Sequence, residues 1–478
     1  MLLKNYLFLL LLFSLSNIII SSYVTIPFQL VKKSEPSQYL SIEDYFTFNN
    51  DYKYYGEISI GESTTPIPVQ LSFNDFGFYY ISKGIDLGQK NNIYQPLSSS
   101  SFRYDNVSIV YFKNFGKSKR ANDTFVFNGV NLKCRNIKFL YCDEDHKMIN
   151  SYMIIGLRLM GDIIRDGELN LVKQLRQNKY TETYDWGLLF DEKNKNKGVL
   201  LIGGQAHTYA PDKFNQSCLL NSVTLSKEIF DVWNLKFDKI YFMNKNEEIQ
   251  ITDYLRFTFN HESNLIKGAT SYEKLLNKYF FDDLKSQGKC QLETSKVGTR
   301  VYTCINNERI KSELKLKFPI LKIESKAYMK IFELGYDDLF LEKQDKIYFL
   351  VYFSSYMGFS WEVGLPFLKK YFFSYNYDTN LISYYNNDLA VMKEETEKPK
   401  SSAGKVVMII FLIIGISLLG FYLGRKYILM RRKAKIRAEE LENEFSKEIN
   451  ENELLAAPQP ADFQAPKDEK NVSKYFLI

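Results

Sequence analysis

The sequence predicts a mostly β protein of two related lobes, carried on one membrane-spanning helix near the C-terminus. Across residues 54–385, short apolar runs alternate with turn residues and long helical patterns are few, the texture of an all-β domain. Within that stretch the strand–turn–strand plan of residues 54–73 is repeated by residues 232–242 and 255–260. Each half later places an apolar residue, a glycine and a leucine in a row, Ile155-Gly-Leu157 and Val363-Gly-Leu365. Finally, residues 406–423 carry no charge and are long enough to cross a bilayer.

The elements follow in order. Residues 1–22 open with one cation, Lys4, continue into an apolar run and end on Ser21 and Ser22. This is the pattern of a secretory signal peptide with small residues at its cleavage region. Residues 23–53 form a short N-terminal segment in which alternating apolar residues from Val24 predict a strand. It is propeptide-like or a first strand, and a retained structural strand is the expectation. The two lobes are assigned to residues 54–205 and 206–390, with Gly198-Val-Leu-Leu-Ile-Gly-Gly204 as the strand that links them. A charged stalk covers 391–404, the membrane helix 405–424 and a cytosolic tail 425–478. Part of that tail, residues 458–470, has the composition of a disordered segment.

Charge sets the orientation. Seven cations fall between Arg425 and Arg437, directly after the apolar run, and they exceed the net charge of +6 for all 478 residues. The remainder is therefore nearly neutral, which argues against a nucleic-acid surface. The positive-inside rule makes the chain a single-pass type I membrane protein. Its ectodomain is extracellular or in the lumen of the secretory or endolysosomal pathway.

In such a compartment disulfides persist. Sequence proximity favours Cys134–Cys142 and Cys290–Cys304 and leaves Cys218 over. Zinc at Cys142-Asp-Glu-Asp-His146 is disfavoured because no second cluster completes a tetrahedron, so neither metal nor cofactor is expected. Asn106, Asn122 and Asn215 head glycosylation sequons on the ectodomain side. The chain ends in Tyr475-Phe-Leu-Ile478, which fits the Tyr-x-x-apolar form of an endocytic sorting signal.

Four stretches in a common order carry a family resemblance. They are Tyr54-Tyr-Gly-Glu-Ile-Ser-Ile-Gly61, Tyr111 with Asp123-Thr124, the segment 198–204, and the run 361–380 beginning Trp361-Glu-Val-Gly-Leu-Pro-Phe-Leu. Over residues 54–385 the chain resembles the pepsin-like aspartic peptidases, with a membrane anchor placed as in the beta-secretases. The resemblance implies a bilobal double barrel with a central cleft, a flap bearing Tyr111, and peptide or protein in the cleft.

It also implies two catalytic aspartates, and this chain has neither. The first is due eleven residues beyond Gly61, where Ser72 stands; a two-residue insertion would make it Asn74 instead. The second falls on Asn260 in Leu255-Arg-Phe-Thr-Phe-Asn260. Two carboxyls sharing a proton divide the roles of base and acid, which a hydroxyl and an amide cannot do. Glu262 stands at a glycine of the family pattern, and Phe112 and Asn114 replace flap glycines. A three-residue shift would bring Asp75 into the first site, but it would reverse the faces of its strand. A Ser72–His261 dyad is disfavoured because His261 follows Asn260 and points to the opposite face. His146 and His207 look like ordinary turn residues. The sequence thus predicts a proteolytically inactive peptidase homologue that binds peptide or protein. The alternatives are an active aspartic endopeptidase and a structural surface glycoprotein.

Overall fold

The computed structural model describes residues 23–32, 39, 41–61, 66–75, 77–81, 99–104, 110–112, 116–127, 132–142, 152–159, 169–224, 232–244, 247–251, 255–354, 361–389, 420 and 422–443. Residues 1–394 form one unit and residues 395–478 another. The first is mostly β and bilobal.

In the first lobe, six strands close a barrel. Their order is Tyr52–Ile60, Ile67–Ser72, Tyr152–Gly156, Phe78–Ile81, Leu132–Cys142 and Gly116–Phe127, which pairs back to the first. Alternation along these strands sends Ile58, Val69, Leu71, Phe78, Phe125, Phe139, Met153 and Ile155 into a solvent-free core. The strand Tyr152–Gly156 is inserted between two strands that are consecutive in sequence. It runs parallel to Ile67–Ser72 and antiparallel to Phe78–Ile81, which in turn is parallel to Leu132–Cys142.

The second lobe repeats this plan. Trp361–Val363 enters between Arg256–Phe259 and Ile266–Gly268, parallel to the former and antiparallel to the latter, and Ile266–Gly268 lies parallel to Lys346–Ser354. The internal echo in the sequence is therefore a repeated topology.

The halves are joined by a sheet to which both contribute. Val24–Lys32 pairs with Tyr52–Ile60 and with Lys197–Ile202, so the short N-terminal segment does supply a structural strand. Asp185–Phe190 pairs with Lys197–Ile202 on one side and Phe373–Asn376 on the other. Leu381–Tyr385 and Leu219–Val223 complete the edge. The expected linking strand thus sits inside the shared sheet.

After the first strand comes a helix, Ile42–Asn49. Ser41 caps it: its hydroxyl accepts from Asp44 N–H at 3.1 Å, and the Asp44 carboxylate accepts from Ser41 N–H at 3.0 Å. The helix seats on the second lobe, where Tyr45 stacks on Tyr348 at 4.7 Å and donates to the Phe349 carbonyl at 3.0 Å.

The cysteines require one correction. Cys290 and Cys304 face each other across an antiparallel pair and are bonded. The expected Cys134–Cys142 bridge is not formed. Both lie on the single strand Leu132–Cys142, and eight residues of extended chain separate their Cα atoms by roughly 26 Å at ~3.3 Å per residue. A disulfide needs about 7 Å or less. Cys218 is buried and not bridged.

The predicted signal peptide lies outside the described residues, as does nearly all of the predicted membrane span. Residues 422–443 are helical. Among the described residues no helix is long and apolar enough to cross a membrane.

Two glycines in equivalent places, Gly156 and Gly364, are among those demanded by close approach. A Cβ at Gly156 would stand 2.6 Å from the Asp75 carbonyl oxygen; at Gly364 it would stand 2.2 Å from that of Ser263 and 2.5 Å from that of Leu265. These neighbours are backbone and cannot give way. Gly364→Ala is expected to lower unfolding stability by about 3 kcal/mol in denaturant titration. Gly335→Ala, whose Cβ meets nothing nearer than 4.0 Å, should stay within about 0.5 kcal/mol of wild type.

Candidate functional site at the seam between the lobes

The repeated topology brings two loops together where the lobes meet. In the first lobe Ser72 pairs with Gly156 in parallel register, and the Ser72 carbonyl accepts from Leu157 N–H at 2.7 Å. In the second, Phe259 pairs with Val363 and Asn260 N–H donates to the Val363 carbonyl at 2.9 Å, so Asn260 stands level with Gly364. Gly156 and Gly364 occupy equivalent places, and therefore so do Ser72 and Asn260. The match continues three residues on, where the Asp75 carbonyl packs on Gly156 and the Ser263 carbonyl on Gly364. Of the two registers open in the sequence, the backbone makes Ser72, not Asn74, the counterpart of Asn260.

Neither position holds a carboxyl, but three carboxylates stand close by, each held by a donor. The Ser72 hydroxyl, 4% exposed with its residue, donates to Asp75 Oδ2 at 2.7 Å. Asn260 Nδ2 donates to Glu362 Oε1, while its Oδ1 accepts from Glu262 N–H at 3.1 Å. Glu262 lies across the seam from Asn74, whose Nδ2 reaches Oε2 at 2.8 Å. Lys53 Nζ meets the same oxygen at 3.3 Å.

Burial pushes the Glu262 carboxyl above its ordinary value, and Lys53 offsets this only in part. For Lys53 burial opposes the charge, yet Glu262 and Asp51 overcome it and raise the pKa. Glu262 is 7% exposed, and among the described residues its Oε1 has no hydrogen-bond partner. Chemically, the two equivalent positions offer a hydroxyl and an amide, groups that bind a peptide backbone but do not cycle a proton near neutral pH.

Behind these polar groups the seam is dry. Phe73 and His261, the residues that follow Ser72 and Asn260, stack face to face with centroids 4.3 Å apart and planes 12° apart. Tyr54 packs on Phe73 and donates to the His261 carbonyl at 2.7 Å. Trp186 stacks on Tyr375 at 4.4 Å, and the Tyr375 hydroxyl meets His261 Nε2 at 3.0 Å. Trp233 completes the cluster and donates to the Leu157 carbonyl at 3.1 Å. His261 stands in the turn after the strand Arg256–Phe259, its ring held by Phe73 and the Tyr375 hydroxyl. Desolvation lowers its pKa to about 3.

The other predicted positions are scattered. Tyr111 lies on the strand Val110–Phe112, opposite Lys117. Asp123 is buried and accepts from the Ser99 hydroxyl at 3.1 Å and from Thr124 N–H at 2.7 Å. Asn122 is half-buried on a strand; Asn215 is exposed, with Oδ1 accepting from Ser217 N–H at 3.0 Å. His207 Nδ1 lies 2.9 Å from the Tyr385 hydroxyl. Asn106, His146, Tyr475 and Ile478 fall outside the described residues, as does all of Cys142-Asp-Glu-Asp-His146, where zinc is disfavoured, except Cys142. Among the described residues no group of three or more potential ligands is disposed to hold a metal.

Lys53 and Glu362 are the site residues that sequence reasoning missed. Glu362 sits two residues before the repeated glycine, next to a motif already singled out, and that adjacency was the available signal. Compared with known families and with curated proteins, the chain matches no family model and no curated sequence.

The buried imidazole sets a pH dependence. In the unfolded chain His261 titrates near its ordinary value of 6.5, in the folded protein only near 3. Its contribution to stability is therefore complete above 6.5 and is lost as pH falls toward 3, at ~1.4 kcal/mol per unit. Glu262 acts with the opposite sign, weakening the fold as pH rises through its raised pKa, and does so in wild type and variant alike. His261→Phe should flatten the loss of stability between pH 7 and pH 4 in urea titrations; parallel curves for the two proteins would show that the imidazole is not sequestered.

Proposed function

We propose that this chain is a membrane-anchored, pepsin-like peptidase homologue that binds peptide or protein between its lobes without cleaving it. The observation that carries this reading is the equivalence of Ser72 and Asn260. A repeated pair of loops meets at the seam, as the resemblance to aspartic peptidases requires of a catalytic centre, and its two equivalent side chains are a hydroxyl and an amide. The loss of a general acid–base group costs about 100- to 10,000-fold, and here both would be lost. Supporting the family reading are the closed six-stranded barrel and the matching topology of the second lobe. Membrane anchoring rests on the uncharged run 406–423 and the cations that follow it. The signal-like N-terminus and the sequons at Asn106, Asn122 and Asn215 favour an extracellular or lumenal ectodomain.

An active acid peptidase is the second reading, favoured by one observation: Asp75, Glu262 and Glu362 all contact the seam loops. Incubating the full chain in lipid nanodiscs with a broad peptide library from pH 3 to 6, with and without pepstatin, separates the two. The inactive reading expects intact peptides to be recovered bound and none cut. Pepstatin-sensitive turnover that disappears in Asp75→Asn or Glu262→Gln would overturn it.

A further inference from the structure

A second site lies away from the seam loops, on the outer face of the first-lobe barrel. Outside its C-terminal cluster the chain is nearly neutral, but residues 99–142 hold eight Lys or Arg against two Asp. The strands Arg103–Tyr104, Gly116–Phe127 and Leu132–Cys142 lie side by side there, with Arg103 opposite Asn122 and Asn122 opposite Lys138. Along the last of them Cys134 and Ile137 are buried while Lys133, Arg135 and Asn136 are exposed, so alternation turns the cations outward. The register shifts between Asp123 and Phe125, where the single residue Thr124 faces both Arg135 and Asn136, and Asn136 has φ 57°. A bulge of this kind re-aims the side chains beside it.

The result is a pocket of about 340 Å³ lined by Ser101, Arg103, Thr124, Lys133, Arg135 and Asn136. Three cations from two strands address one space, and among the described residues no carboxylate lines it. Asp123 is buried and already engaged by the Ser99 and Ser101 hydroxyls and by Thr124 N–H. Arg103 is held in place: its Nη1 donates to the Ser100 and Phe102 carbonyls at 2.8 and 2.6 Å, which leaves Nε and Nη2 for a ligand. Arg135 is fixed through its backbone, its N–H donating to the Tyr180 hydroxyl at 2.8 Å. Such guanidinium forks match the oxygens of sulfate and phosphate. Between the cations, the Thr124 hydroxyl and the Asn136 amide offer neutral donors and acceptors. Among the described residues the lining includes no aromatic or aliphatic side chain, so it has no surface on which to stack a nucleobase or bury a lipid tail.

We propose that this pocket binds a polyanionic sugar, a saccharide or inositol ring bearing sulfate or phosphate esters. The esters lie on Arg103, Lys133 and Arg135, and the ring hydroxyls on Thr124 and Asn136. The proposal does not depend on the peptide-binding reading, because none of these residues belongs to the seam loops.

Amine footprinting of the full chain in nanodiscs tests it, with N-glycans trimmed enzymatically because the sequon residue Asn122 stands beside Arg103. Saturating inositol trisphosphate or trisulfated heparin disaccharide is expected to slow acetylation of Lys133 about fivefold. Lys236, exposed in the second lobe, should react as before. Whichever probe protects at the lower concentration identifies the ester, and free inositol and inorganic phosphate should protect little. In calorimetric titration, empty nanodiscs subtracted, Arg103→Gln/Lys133→Gln/Arg135→Gln should weaken the tightest binding about tenfold or more. Arg431→Gln/Arg432→Gln/Lys433→Gln, the same loss of charge in the C-terminal cluster, should leave it unchanged. Unprotected Lys133 at saturation, equal protection by inorganic phosphate, or equal losses in the two variants would each overturn the assignment. Footprinting needs only wild-type protein, so the test does not depend on any variant folding.

Discussion

The stack of Phe73 on His261 is the contact on which the arrangement of the two lobes turns. Each ring immediately follows one of the two equivalent loop positions, so pressing them together holds the two loops against each other. Such a pair contributes about 0.5–1.5 kcal/mol beyond the area it buries, a modest sum. Its larger effect is geometric, because Tyr54, Trp186, Tyr375 and Trp233 close around it. Three of the polar atoms brought inside are answered: the imidazole nitrogen by the Tyr375 hydroxyl, the His261 carbonyl by Tyr54, and the Trp233 N–H by the Leu157 carbonyl, while the Trp186 N–H has no hydrogen-bond partner among the described residues. Unanswered, each would carry a desolvation penalty of about 1–3 kcal/mol.

A dry knot behind the loops shapes the electrostatics in front of them. Two carboxyls in direct contact divide a proton between them because their charges repel. At this seam each carboxylate is instead met by a group with hydrogens to donate: Asp75 by the Ser72 hydroxyl, Glu362 by the Asn260 amide, and Glu262 by Asn74 and Lys53. The Glu262 carboxylate also ties the segment after the first helix to both lobes. Tyr52 N–H donates to the Glu262 carbonyl at 3.0 Å, and Asn264 N–H to the Asn49 carbonyl at 2.7 Å. The segment 49–53 is thereby laid along the second loop, which explains why so short an N-terminal stretch is bound at all.

Much of the fold was legible because its signals are local. Alternation marked Val24–Lys32 as a strand, the place of Gly198–Gly204 between the halves marked it as a linking strand, and the repeated apolar–Gly–Leu triplets marked the two halves as related. The misjudged disulfide shows where locality fails. Cys134 and Cys142 are close in sequence, but an extended strand separates its ends almost as far as a chain can, whereas Cys290 and Cys304 are brought together by a turn. Lys53 and Glu362 escaped notice because their partners, Glu262 and Asn260, lie about two hundred and one hundred residues away. No periodicity reports such a meeting.

By itself the sequence determined that this protein is built of short strands in two related halves, and that neither half offers an aspartate where the family resemblance requires one. Those properties depend on residue identity and on spacing along a single chain. Only the tertiary structure decided that Ser72, rather than Asn74, is the counterpart of Asn260, that His261 is sealed behind the loops, and that Glu262 meets Asn74 and Lys53 across the seam. Register, burial and ion pairing are relations between distant segments, and they acquire a definite answer only once the sheets are closed and water is excluded between them.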